Sequence, residues 1–222
     1  MPVISFVGLK GGTGKTTAAI GVACEFMRRG HSVLLVDSDP QQTACDWGKL
    51  AWEGGKPTPQ ITVFGDDMHR RHRLPIVSAG YDVTIIDTPP SVKTITRSAL
   101  MVSDLAVMPC GPSTHETWAM APTLELVGKA MKVSPSLQAH ILISKKDPQT
   151  VAGKAARGIL ANTGASLLQT ELSYLMDYQY ASAAGLGPTT YSPSGRASLE
   201  IRNLVDELDA LVTPYRVKEF YQ

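Results

Sequence analysis

Hydrophobic residues along the chain form short uninterrupted runs, which alternate with longer stretches whose apolar positions recur at helical spacing. Runs rich in β-branched residues predict buried strands, and the 3.6-residue spacing predicts amphipathic helices. The predicted strands cover residues 3–7, 33–36, 61–64, 83–86, 105–108, 139–143 and 167–172. The predicted helices cover residues 15–29, 43–53, 66–78, 94–101, 115–131, 150–162 and 196–212. The fifth of these helices is expected to kink or restart near Pro122, and residues 177–195 to form a loop rich in Tyr, Gly and Pro.

This order of elements indicates the fold class. Strands that are apolar throughout, without alternating polar positions, are typical of sheets buried on both faces. Helices between successive strands supply that cover and allow the strands to pair in parallel. We therefore expect an α/β fold with a mostly parallel sheet covered by helices on both faces, in a single domain over residues 1–222.

The composition narrows the class of protein. Hydrophobic residues make up 43% of the 222 residues and charged residues 18%, which excludes a disordered chain, a collagen-like repeat and a coiled coil. A net charge of +1 does not predict binding to nucleic acid, although it does not exclude a local basic patch. Three scattered cysteines argue against a disulfide scaffold or a zinc site. No apolar stretch reaches the roughly 18 residues of a membrane span, so we expect a cytoplasmic protein.

The strongest chemical signal is the segment 10–17, which reads Lys-Gly-Gly-Thr-Gly-Lys-Thr-Thr. It follows the first predicted strand and opens the first predicted helix, which is the context that a phosphate-binding P-loop requires. Glycines let backbone N–H groups turn inward around a polyphosphate at the positive end of the helix. Lys15 adds a charge near the β- and γ-phosphates, and Thr16 can ligate Mg²⁺. The nucleotide-binding candidates are Gly11, Gly12, Thr13, Gly14, Lys15, Thr16 and Thr17.

This P-loop departs from the usual pattern at its start. Leu9 stands where the pattern has its first glycine, and Lys10 adds a second lysine. An extra lysine is often a solvated surface charge, but its place beside two glycines favours a phosphate contact.

Aspartates follow two of the predicted strands, at the carboxyl ends where α/β sheets bind ligands. Asp37 and Asp39 come after the second strand, and Asp87 follows an apolar run as in a Walker B motif. A single aspartate at a strand end is a helix N-cap as often as it is a metal ligand. The P-loop in the same sequence is what favours the metal role. The predicted Mg²⁺ ligands are Thr16, Asp37 and Asp87, which leaves Asp39 to orient or deprotonate an attacking water.

Taken together, these motifs resemble the ParA/MinD family of P-loop ATPases, which carry a deviant Walker A motif. The matching pieces are residues 10–17, Asp-Ser-Asp-Pro-Gln at 37–41 and Ile-Ile-Asp-Thr-Pro-Pro at 85–90. The likeness is closest to short plasmid-partition ParA proteins, which lack an N-terminal helix-turn-helix domain. The resemblance implies a single-domain P-loop NTPase with ATP and Mg²⁺ as cofactors.

The resemblance also implies a mechanism in which ATP drives formation of a face-to-face homodimer. Lys10 matches the family's signature lysine, which crosses to the partner's nucleotide and neutralises charge during phosphoryl transfer. Asp39 matches the water-positioning residue, so the catalytic candidates are Lys10, Lys15 and Asp39. The resemblance further implies binding to nonspecific DNA, a nucleoid-associated location, and stimulation by a centromere-binding ParB-like protein or a cargo adaptor.

The residues that would contact DNA are less clear from the sequence. Family members often carry arginines after the last strand, whereas segment 173–180 here has no basic residue. The first candidates are Lys145, Lys146, Lys154 and Arg157, and the second cluster is Arg70, Arg71 and Arg73. A cluster of basic residues of this kind is a solvated surface as often as it is a DNA-binding surface.

Two further readings of the resemblance stay open. A MinD-like membrane-cycling ATPase needs a basic amphipathic tail, and the acidic Asp206, Glu207 and Asp209 argue against membrane binding. A ParA-like positioner of a protein compartment or receptor array would keep the whole ATPase cycle and change only the cargo.

The resemblance also implies where the adenine base would bind. By family position, residues 185–193 are expected to surround the base, with Ser144 and Lys145 opposite.

Overall fold

The computed structural model describes residues 1–218, with side chains through Thr213; residues 219–222 of the predicted domain lie outside this range. The strands are β1 (Val3–Phe6), β2 (Val33–Asp37), β3 (Gln60–Val63), β4 (Val83–Asp87), β5 (Leu105–Cys110), β6 (Gln138–Lys146) and β7 (Ser166–Ser173). The longer helices are α1 (Lys15–Arg28), α2 (Thr43–Glu53), α4 (Lys93–Leu100), α6 (Ala121–Val133), α7 (Val151–Ala161), α8 (Met176–Ala183) and α10 (Arg196–Lys218). Short helices are α3 (Leu74–Ser78), α5 (Thr114–Ala119) and α9 (Pro188–Tyr191).

The seven strands form one sheet in the order β3-β2-β4-β1-β5-β6-β7. Every neighbouring pair is parallel, so the expected mostly parallel sheet is parallel throughout. The chain builds β2 to β4 on one side of β1 and β5 to β7 on the other. In such sheets the crevice at the carboxyl ends of the strands, where the winding reverses, is the usual place for a ligand.

Helices cover both faces of the sheet, as the apolar strands predict. Alternate residues of β2 show this directly, because Leu35 packs with α1 and α10 while Leu34 packs with α3 and α4. On the second face, α6 and α7 bury Val127 and Leu160 against β5 and β6. None of the helices in the described residues combines the length and the apolar character that a membrane span requires.

Two predicted segments differ from the structure. Within the predicted helix 66–78, only Leu74–Ser78 is helical, because Pro75 fits the first turn of a helix and not its interior. The predicted loop 177–195 contains α8 and α9, and α9 begins with Pro188 in its first turn. The break expected near Pro122 is confirmed, since α5 ends at Ala119 and α6 starts at Ala121.

Candidate nucleotide-binding site

The P-loop, residues 10–17, connects the end of β1 to the start of α1. Gly12 and Gly14 have φ angles of 74° and 91°, in the left-handed region where a residue with a Cβ is strained. Because α1 begins at Lys15, the free N–H groups of its first turn face the loop and give it the positive end of the helix dipole. The backbone of the P-loop is thus shaped to hold an anion.

The two lysines of the P-loop are placed in opposite ways. Lys15 is 5% exposed, and its Nζ donates to the carbonyl of Lys10 at 3.1 Å. Burial lowers the pKa of Lys15, while the nearby Asp87 and Asp39 act against that change. Lys10 has a side chain that is 40% exposed, and its Nζ lies 3.6 Å from Glu116 Oε1 on α5. One lysine therefore belongs to the interior of the loop and the other to its surface.

Glu116 was not among the residues that the sequence singled out. It lies in the first turn of α5, where the Ser113 hydroxyl donates to its Oε2 at 3.0 Å. Ser113 also caps α5 by accepting from the N–H of Glu116. The Ser-x-x-Glu spacing of a capping box could have pointed to this arrangement, but not to its contact with Lys10.

Thr16 and Asp87 form the pair that the Mg²⁺ prediction requires. Thr16 Oγ1 donates to Asp87 Oδ2 at 2.6 Å, and Asp87 is 1% exposed. Burial raises the pKa of Asp87 to about 7, although the Thr16 hydrogen bond lowers it in part. The other oxygen of Asp87, Oδ1, is buried with no hydrogen-bond partner among the described residues. A buried carboxylate oxygen without a partner, next to a hydroxyl, fits a hard cation such as Mg²⁺.

Asp37 and Asp39 lie beside this pair, because Asp37 and Asp87 are register partners on β2 and β4. Both Asp37 oxygens accept backbone N–H groups, from Asp39 at 3.0 Å and from Cys45 at 2.9 Å. Asp37 thereby fixes the turn between β2 and α2. Asp39 is at the rim, where its Oδ1 accepts from the N–H of Gln41 at 2.9 Å. No cluster of three or more His, Cys, Asp or Glu side chains within residues 1–213 is arranged to hold a metal ion.

A cavity of about 210 Å³ opens beside the P-loop. The cavity is lined by residues of the P-loop, β6 and the segment that runs from β7 into α8. These are Gly14, Thr17, Ser144, Lys145, Leu172, Ser173, Tyr174, Leu175, Tyr178 and Gln179. Ser144 Oγ donates to the carbonyl of Thr13 at 2.7 Å, which ties β6 to the P-loop.

The expected base loop, residues 185–193, does not line this cavity. Gly185 lies against Ala51 of α2 and Gly187 against Cys24 of α1, with no room for a side chain at either glycine. The segment therefore packs on the two helices. Ser144 and Lys145 line the cavity, and the wall opposite them comes from segment 172–179.

Three of the four first-choice DNA contacts have partners within the chain. Lys145 Nζ donates to the carbonyl of Gly12 at 2.6 Å. Lys146 and Arg157 both pair with Glu171, and Arg157 also donates to the carbonyls of β7. Lys154 is exposed with no partner among the described residues. In the second cluster, Arg73 pairs with Asp67, while Arg70 and Arg71 are exposed.

A P-loop on the first strand of a parallel sheet, with a Walker B aspartate on the neighbouring strand, defines a P-loop nucleotide-binding protein. Residues 4–216 match the family described as CobQ/CobB/MinD/ParA nucleotide binding domain. The chain belongs to this family, which confirms the resemblance to ParA/MinD P-loop ATPases and the predicted fold class.

Known relatives cover nearly the whole chain. Maintenance of carboxysome distribution protein A of Halothiobacillus neapolitanus is 27% identical over 208 residues, covering 92% of this chain and 95% of that protein. The chromosome-partitioning ATPase Soj of Thermus thermophilus is 28% identical over 240 residues, covering 94% and 96%. The septum site-determining protein MinD of Pyrococcus horikoshii, solved with Mg-ADP, matches with a TM-score of 0.72 at 16% identity, covering 95% and 97%. The Mg-ADP of that structure and the ATP of a Cyanothece McdA complex agree with the predicted cofactors, ATP and Mg²⁺. The McdA complex matches with a TM-score of 0.69 at 14% identity, covering 96% of each chain.

Proposed function

We propose that this chain is an ATP hydrolase that forms a homodimer around two ATP molecules and uses the cycle to position a cargo. The observation that carries the proposal is the opposite placement of Lys10 and Lys15. Lys15 is buried where it meets the nucleotide of its own P-loop. Lys10 belongs to the same loop, but its side chain extends over the surface of the loop. Its ammonium group can therefore contact a second molecule.

Each residue of the site then has a separate task. The P-loop N–H groups and Lys15 hold the phosphates. Thr16 and Asp87 hold Mg²⁺, which neutralises charge on the phosphates when bound, and Asp37 keeps the neighbouring turn in place. Asp39, at the rim, orients the attacking water. Lys10 leaves Glu116 and stabilises the charge that develops at the partner's phosphate.

We also propose that the ATP-bound dimer binds DNA without sequence preference, which would place it on the nucleoid. Lys146 and Arg157 share the single carboxylate of Glu171, and Arg157 also donates to two carbonyls of β7, so they are poor first contacts. Lys154, Arg70 and Arg71 are exposed, and dimerisation doubles the number of each in the assembly. Phosphate contacts of this kind weaken steeply with salt, because binding releases counterions.

The cargo is proposed from the relatives. One relative is named for the distribution of carboxysomes and another for chromosome partitioning, so both a protein compartment and a DNA molecule are supported. A cargo adaptor or a ParB-like protein would then stimulate hydrolysis. Membrane cycling is disfavoured, since α10 buries Leu204, Leu208 and Val212 in the core and presents no free apolar face through Thr213.

Light scattering and a DNA shift assay together test the proposal. With Mg²⁺ and ATP the chain should double its mass from 23.8 kDa and retard a duplex of any sequence, whereas ADP should support neither. Reversing the charge of Lys154, Arg70 and Arg71 should weaken the shift on all sequences alike. A chain that stays monomeric with ATP would contradict the dimer, and a dimer without a shift at low salt would contradict DNA binding.

A further inference from the structure

One buried carboxylate, Glu200 on α10, accepts four hydrogen bonds. Its Oε2 accepts from the N–H of Ser173 at 2.8 Å and from the Tyr178 hydroxyl at 3.0 Å. Its Oε1 accepts from the Ser173 hydroxyl at 2.7 Å and from Arg196 Nε at 3.0 Å. Arg196 also donates to Ser173 Oγ at 2.8 Å, which closes the network. Four donors fill the acceptor positions of an ionised carboxylate, and Arg196 compensates its charge.

Two of the three partners of Glu200 belong to the cavity beside the P-loop. Ser173 is the last residue of β7 and Tyr178 lies in the first turn of α8, and both line the cavity. β7 is an edge strand whose only neighbour in the sheet is β6. The chain that leaves the sheet at Ser173 therefore has a strand on one side only, and Glu200 holds it from the other side.

The place of this cavity indicates what it receives. It borders Gly14 and Thr17, where the P-loop becomes α1, so a nucleotide whose phosphates lie on the P-loop extends its nucleoside toward the cavity. Its lining includes Tyr174, Leu175 and Tyr178, and side chains of these types suit a flat, partly apolar group.

We propose that Glu200 is a positioning residue for the nucleoside: it holds segment 173–178 in the conformation against which the base and ribose bind. This inference rests on the proposed function, because it requires ATP on the P-loop. Glu200 touches neither the P-loop nor its phosphate-binding groups. Its loss should therefore weaken the contribution of the nucleoside to affinity and leave that of the phosphates unchanged.

The chain offers a matched control on the same helix. Glu207 also ties α10 to β7, by accepting from the N–H groups of Gln169 and Thr170 at 2.6 and 2.9 Å. Neither of these residues lines the cavity. A Glu207→Gln variant removes the same kind of contact from the same strand, away from the nucleoside.

The test compares two ligands, Mg-ATP and inorganic tripolyphosphate with Mg²⁺, by isothermal titration of the full chain. In Glu200→Gln one acceptor oxygen becomes an NH₂ group that faces donors, so we expect the Kd for ATP to rise about tenfold. The Kd for tripolyphosphate should change less than about twofold, and Glu207→Gln should leave both constants unchanged within the same margin. Tyr178→Phe, which keeps the ring and removes one hydrogen bond, should raise the Kd for ATP about threefold.

The outcomes separate the inference from the function on which it rests. An unchanged Kd for ATP in Glu200→Gln, or an equal loss for both ligands, would overturn the positioning role. If Glu200→Gln does not fold, Tyr178→Phe decides by the same comparison. A parent chain that binds neither ligand would instead contradict the proposed function.

Discussion

The two sides of the nucleotide site are built in different ways. On the phosphate side, the residues predicted to contact the ligand lie within segment 10–17, and the backbone of a single turn shapes them. On the base side, the wall comes from β6, β7 and α8. Glu200 binds this wall at Ser173, from which it is 27 residues distant in the sequence. The phosphate side is local in the sequence, and the base side depends on tertiary packing.

This difference has a functional consequence. The phosphate side contains the groups to which the proposed function assigns the chemistry, since Lys10, Lys15, Thr16 and Asp39 all lie on or beside it. On the base side, we infer only packing and hydrogen bonds that position the nucleoside. Substitutions on the first side should therefore affect hydrolysis or binding outright, and those on the second should affect affinity by modest factors.

The largest expected effect is that of Asp39→Ala on hydrolysis. Because Asp39 orients water and does not hold the nucleotide, its loss should slow turnover by roughly 10²–10⁴-fold while ATP binding persists. The variant should accumulate as an ATP-bound dimer, measured by light scattering alongside a phosphate-release assay. Parent-like hydrolysis by a monomeric variant would contradict the role of Asp39.

Lys15→Ala tests the interior of the P-loop. Removing the buried ammonium should weaken ATP binding by about a hundredfold or more, because a charge-assisted contact to the phosphates is lost. Lys10→Ala is the control, since it removes a partly exposed lysine from the same loop, and it should bind ATP as the parent does. Equal affinity in the parent and Lys15→Ala would show that the phosphates lie elsewhere.

Asp87→Asn should change the pH dependence of stability in the protein free of nucleotide and metal. Burial raises the pKa of Asp87 from its usual 3.8 to about 7, so the folded state binds more protons than the unfolded chain between these values. Unfolding free energy should then fall as the pH rises from about 4 to about 7. Asp87→Asn should remove that loss and be more stable than the parent at pH 8, by on the order of 4 kcal/mol.

Chemical denaturation at acidic and alkaline pH measures this effect. The two proteins should be close in stability near pH 4, where Asp87 is protonated in the folded state. They should diverge as the pH rises to about 7 and differ by a constant amount above that. Parallel stability curves across the whole range would contradict the buried, uncompensated state of Asp87.

The sequence predicted the phosphate side and most of the fold for the same physical reason. Fully buried strands such as Val83–Asp87 are continuous apolar runs, and glycine spacing specifies the P-loop backbone without any distant contact. The helix α8 was missed because it buries only Tyr178 and Ala181 and has no apolar stripe.

The rest of the site depends on which side chains meet across elements. Glu171 forms ion pairs with both Lys146 and Arg157, and Lys145 donates a hydrogen bond to the carbonyl of Gly12. A list of predicted strands and helices does not contain these pairings, because they join β6 and α7 to β7, and β6 to the P-loop. The same holds for Lys10 and Glu116, which are far apart in the sequence.

The smallest expected effect comes from Glu116→Gln, which frees Lys10 from its partner in the same chain. A partly exposed ion pair contributes little, so ATP-dependent dimerisation should shift to lower protein concentration by only about threefold. Glu125→Gln, which breaks the exposed Lys129 pair, is the control and should have no effect on dimerisation. A weaker dimer in Glu116→Gln would mean that Glu116 assists Lys10 and does not compete for it.

The central claim is that Lys10 completes the site of a partner, and mixing two inactive variants tests it most directly. Lys10→Ala lacks the lysine it would give, and Asp39→Ala lacks the aspartate of its own site. In a mixed dimer, the site with Asp39 intact receives Lys10 from the other chain and is complete. Combining equal amounts should restore hydrolysis to about a quarter of the parent rate, since half of randomly formed dimers are mixed and each has one complete site. If the mixture stays as inactive as its two components, Lys10 does not act across the dimer and the account is wrong.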